Sequence, residues 1–206
     1  MSAAGMKEVE KPSRWSLIPA FLVGLRVAIA PLLLWDALDR NTGTWFIAGY
    51  SLAVLSDTFD GIIARRLGVS TVQLRQADSW ADICLYLCVA VSAWLVYPTI
   101  LSDFAVPLLL AIVAQLILFA ISLIKFGKFP SFHTLTAKAW GLTLLIATIG
   151  LFGFGYAQTL WLAIAFCLIN SVEEMAMTII LPIWQHDVLS LIHALKLRDK
   201  LRQDVT

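Results

Sequence analysis

Charge is scarce in this chain. Asp, Glu, Lys and Arg make up only 14% of its 206 residues, against 60% hydrophobic residues and a mean hydropathy of +0.83. A soluble domain of this length needs far more polar surface, so the composition is that of an integral membrane protein. The net charge of +1 argues against a nucleic-acid role, because no excess of base is there to meet phosphate backbones. Cysteine is sparse too, and Cys84, Cys88 and Cys167 all fall in apolar segments. Cys84 and Cys88 share a helix face, but with no neighbouring His or further Cys they read as core packing rather than metal ligands. Low-complexity tracts, internal repeats and a soluble domain are missing. The N-terminal stretch is too charged, and too long before the first apolar run, for a standard cleaved signal peptide.

Long apolar runs are what the chain has instead. A bilayer core takes about 20 apolar residues per helix. Six stretches reach or approach that: residues 16–35, 44–65, 78–97, 102–126, 136–154 and 159–184. The expected fold is therefore all-α: a polytopic integral membrane protein of six transmembrane helices. It forms one membrane-embedded domain over 1–206, with a surface segment at 1–15, the helical core at 16–184 and a C-terminal segment at 185–206. Trp15, Trp35, Trp45, Trp94, Trp161 and Trp184 fall near span ends, as an interfacial aromatic belt should.

Sidedness follows from Lys and Arg. Lys7, Lys11 and Arg14 precede the first span; Arg65, Arg66 and Arg75 lie between the second and third. Lys125, Lys128 and Lys138 surround the fourth connection, and Lys196, Arg198, Lys200 and Arg202 follow the last span. The opposite connections hold only Arg40. Both termini are expected in the cytoplasm, in a membrane of the bacterial cytoplasmic type. Residues 6–15 and 188–202 mix basic and apolar positions, which suits surface helices on anionic headgroups, or else a plain topology signal with solvated ends.

Acid is concentrated where it is expensive. Asp57 and Asp60 are three residues apart, Asp78 and Asp82 four, so each pair shares a helix face at the end of an apolar segment. Unshielded, each pair repels itself, so a cation is expected among them. Asp57, Asp60, Gly61 and Ala64 form one stripe, in which the two small residues admit close approach of a ligand or helix. Arg65 continues the stripe, placed for a phosphate or for an acid. Oxygen donors without His or Cys favour Mg²⁺ or Mn²⁺ over zinc, and two such ions suit pyrophosphate chemistry.

These residues resemble the signature of the CDP-alcohol phosphatidyltransferases, D-x2-D-G-x2-A-R-x8-G-x3-D-x3-D. Asp57, Asp60, Gly61, Ala64, Arg65, Asp78 and Asp82 match it at the right separations. Leu74 stands where the family has its second glycine. More loosely, Pro19 and Arg26 are similar to the family's P-N-x-x-T-x-x-R start, with Ala20 and Val23 in place of its Asn and Thr. The resemblance implies attack of a small alcohol's hydroxyl on the lipid-bearing phosphorus of CDP-diacylglycerol, with release of CMP. It implies Asp57, Asp60, Asp78 and Asp82 as metal ligands, with Asp82 also the catalytic base. Asp57, Asp60, Gly61, Ala64, Arg65 and Asp78 would line the CDP site. A homodimer among membrane lipids is the usual family assembly.

Other polar residues carry open readings. Arg26 in the first span would bind phosphate or acceptor, or else snorkel to the interface or pair with an acid. Arg75 and Lys138 suit a phosphorylated acceptor, but basic residues on that side also serve topology. Asn170, Ser171, Glu173 and Glu174 form a polar patch in the last span, where a glutamate would pair with Arg26 or Lys138, or line an acceptor pocket. Two competing functions remain. One is a non-catalytic family member, motivated by Leu74. The other is a cation transporter, which would place its acids near the bilayer midplane rather than at one end.

Overall fold

The apolar runs are realised as helices among the described residues. The structure, a computed structural model, describes residues 18–67, 72–132 and 134–203, and no strand occurs among them. The helices are α1 (Ile18–Asp36), α2 (Thr44–Leu67), α3 (Val72–Val96), α4 (Pro98–Asp103), α5 (Ala105–Phe126), α6 (Leu135–Phe154), α7 (Thr159–Ile180) and α8 (Leu191–Gln203). The expected surface segment at residues 6–15 lies outside the described residues.

Helix ends follow local chemistry. Pro98 opens α4, where a missing N–H costs nothing. Thr134 caps α6 by accepting the Ala137 N–H at 3.0 Å. Gly127 closes α5 with φ of 66°, and its N–H reaches Leu123 O at 2.8 Å. α7 stops at Ile180, short of residue 184, because Pro182 pushes Leu181 into an extended conformation. α3 starts six residues ahead of the expected 78: Gln73, Arg75 and Gln76 are too polar to read as membrane span but are good helix formers. The expected fourth span is divided at Phe104, leaving the short α4 before α5.

Among the described residues four helices, α1, α5, α6 and α7, are long and apolar enough to cross a membrane, and α3 adds an apolar stretch at Trp80–Val96. Outward faces are strongly apolar: Leu109, Ile112, Leu116 and Ile124 are all exposed, as lipid contact demands.

Helix packing divides the chain into two units, one ending at Val96 and one starting at Tyr97. In the first, α1 packs on both α2 and α3. Its inward stripe is Pro19, Val23, Arg26, Ile29, Ala30 and Leu33. α2 answers with Phe46, Tyr50, Ala53 and Ser56, and α3 with Ala81, Leu85, Val89 and Ser92, each at helical spacing. In the second unit α7 is the hub, packed by α5, α6 and α8. α8 docks through Leu191, Ala194 and Leu197 onto Phe132, Met177, Leu181 and Val188, leaving Lys196 and Lys200 exposed.

Candidate active site

The inward stripes of the first unit end in charge. Asp57 follows Ser56 on α2, and Asp78 and Asp82 flank Ala81 on the face of α3 that meets α1. Opposite them stands Arg26, whose side chain is 0% exposed while those of Asp57, Asp78 and Asp82 are 42%, 34% and 35% exposed. Its Nη1 donates to Asp78 Oδ1 at 2.9 Å and to Asp82 Oδ1 at 2.6 Å. Its Nη2 lies 3.0 Å from Asp57 Oδ1. The charge is buried because position 26 belongs to the apolar stripe, three residues beyond Val23 and three before Ile29. Of the two readings open for Arg26, pairing with acid is the one the geometry displays.

The cluster meets the demands of a hard cation. Asp57, Asp78 and Asp82 each offer an oxygen within 4.8 Å of the others. The spacing along each helix placed the acids of a pair on one face. What the structure adds is α1, the helix that packs on both and supplies the bridging guanidinium.

Other expected residues are placed less completely. Asp60, Gly61, Ala64 and Arg65 continue α2 beyond Asp57, and Arg75 is in the first turn of α3, but their side chains lie outside the described residues. Leu74 is half-buried in that same first turn, so the departing signature position is helical rather than part of a loop. Lys138 is exposed on the first turn of α6.

The polar patch of α7 has a structural explanation. Thr134 donates to Asn170 Oδ1 at 2.9 Å, and Thr136 donates to Glu173 Oε2. Glu173 Oε1 accepts the Leu191 N–H at 3.0 Å, and Glu174 Oε1 is 3.4 Å from Thr134 Oγ1. Hydroxyls and a backbone donor thus take the place of the expected base. They tie the starts of α6 and α8 to α7.

Sequence reasoning missed two tyrosines. Tyr50 is 1% exposed, two turns before Asp57 on the inner face of α2. Tyr86 lies one turn beyond Asp82 on α3. Their spacings of seven and four from the acids were the available signal.

Comparison with curated proteins and with solved structures returned no match. The family model described as CDP-alcohol phosphatidyltransferase matches residues 16–184, which takes in α1 to α7 and every acid of the cluster. A membrane chain matched over that span, with Asp57, Asp78 and Asp82 of its signature gathered around one point, belongs to the CDP-alcohol phosphatidyltransferase family.

Proposed function

We propose that this protein transfers the phosphatidyl group of CDP-diacylglycerol to a small alcohol, releasing CMP, at the cytoplasmic face of the membrane. The observation that carries the reading is the convergence of Asp57, Asp78 and Asp82 at the spacings of the family signature. Asp57, Asp60 and Asp78 are the principal ligands in this account, and Asp82 completes the set. Two divalent ions, Mg²⁺ or Mn²⁺, would neutralise the pyrophosphate and stabilise the leaving CMP. Asp82 accepts the proton of the acceptor hydroxyl, whose oxygen attacks the lipid-bearing phosphorus while the bond to CMP breaks. Gly61, Ala64 and Arg65 line the CDP site, the small residues allowing backbone approach and the arginine meeting phosphate. Arg75 serves phosphate or the acceptor.

In this account α2 and α3 also cross the bilayer, making six spans with both termini cytoplasmic, in a single membrane-embedded domain that pairs as a homodimer. The lysine and arginine asymmetry supports the sidedness. A second reading, a non-catalytic member that binds metal and CDP-lipid or a partner, is favoured by Leu74 alone. CMP release from CDP-diacylglycerol in Mg²⁺ or Mn²⁺, across a panel including glycerol 3-phosphate, inositol phosphate and serine, separates the two. Release with one acceptor establishes transfer and names the acceptor; silence with all supports the non-catalytic member.

A further inference from the structure

A fully buried guanidinium in a helix apolar enough to cross a membrane is costly unless its charge is answered. Arg26 is answered three times over, by Asp57, Asp78 and Asp82. These are the acids the proposed function gives to divalent ions, and the following inference rests on that reading. One guanidinium against three carboxylates leaves a formal surplus of two negative charges, so the group holds the acids together without neutralising them. A divalent ion on the same acids brings more charge, and within a few ångströms it repels the guanidinium.

We propose that Arg26 is an internal counter-cation: it gathers Asp57, Asp78 and Asp82 before the ions bind, and the ions displace it from them. The site therefore works by cation exchange. Arg26 limits the repulsion that would otherwise splay α2 from α3, and it lowers the affinity for metal in return. Once displaced, its guanidinium is available to a phosphate oxygen, so the acid-pairing and phosphate-binding readings of Arg26 become successive states. It is a positioning residue, acting through the acids and not on the reacting atoms while it holds them.

The test uses the full-length, metal-stripped protein in nanodiscs, comparing parent, Arg26→Gln and Arg26→Lys. Mn²⁺ binding is followed by electron paramagnetic resonance, and thermal unfolding is measured in EDTA and in Mn²⁺. We expect Arg26→Gln to unfold at lower temperature in EDTA, to bind Mn²⁺ about tenfold or more tightly, and to gain more from Mn²⁺ than the parent does. Arg26→Lys, which keeps the charge but loses the fork, should fall between them. It carries the test if the glutamine variant does not accumulate. In the parent, Mg²⁺ should shift the Arg26 side-chain ¹⁵N resonances. A parent that binds Mn²⁺ beside variants that bind it equally or less tightly overturns the exchange and leaves the metal site standing. Unmoved Arg26 resonances in Mg²⁺ do the same. A parent that binds no Mn²⁺ overturns both.

Discussion

Arg26 Nη1 meets Asp82 Oδ1 at 2.6 Å, joining residues 56 positions apart on helices α1 and α3. The contact couples the buried stripe of α1 to the carboxylate proposed as catalytic base. It holds that carboxylate on the side of α3 facing Asp57 and Asp78, where metal and acceptor would meet. The consequences are specific for each acid.

Asp57→Asn and Asp78→Asn each remove one charged ligand oxygen from the cluster. We expect Mn²⁺ binding to weaken by about tenfold or more in either variant, because hard cations depend on ligand charge. Titration of Mn²⁺ by paramagnetic resonance checks this. Parent-like binding in both would move the site elsewhere.

Asp82→Asn should separate binding from chemistry. If Asp82 takes the acceptor's proton, CMP release at saturating Mn²⁺ should fall by about 10²–10⁴-fold. Loss of activity that excess Mn²⁺ fully restores would make Asp82 a ligand only.

Leu74→Gly tests the departing signature position. Since Leu74 is helical, glycine there should cost about 0.5–1 kcal/mol of stability. We expect the parent to be active, and the substitution to change the rate or the nucleotide KM without abolishing turnover. A silent parent beside an active glycine variant would show that the leucine closes the nucleotide site.

Gly150 lets α6 and α7 touch: a Cβ there would come within 2.6 Å of Thr159 Oγ1 and 2.7 Å of its Cγ2. Gly150→Ala should destabilise by about 1–3 kcal/mol through overpacking. Adding Thr159→Ala should recover part of that loss, a non-additivity that thermal unfolding of the parent, the two single variants and the double variant would expose. Strict additivity would rule out the contact as the cause.

Sidedness is open to cysteine labelling in a background lacking Cys84, Cys88 and Cys167. The exposed positions Gly43, Lys128 and Gln158 are suitable probes. With six spans and cytoplasmic termini, positions 43 and 158 label from outside and position 128 does not. External labelling at 128 would put the acids on the wrong face for cytosolic substrates.

Much was legible in the sequence because it is encoded within a turn or two of chain. Low charge and apolar runs determined the membrane class, whereas the last span was read through Pro182 to residue 184 although its helix stops at Ile180. The acid spacing of three and four residues, with Gly61, Ala64 and Arg65 between, determined the family. Only tertiary structure decided what the charges do. Arg26 had acid and phosphate as equal prospects until α1 packed on α2 and α3 and placed Asp57, Asp78 and Asp82 around it. A glutamate of α7 was expected to pair with Arg26 or Lys138 or to line an acceptor pocket, but Glu173 is held by Thr136 and the Leu191 N–H, because the starts of α6 and α8 both come to α7 there. The physical reason is the same in both cases. A helix is specified by neighbours three and four residues away, whereas the partner of a buried charge is chosen by whichever helices bury it, and no local pattern records that choice.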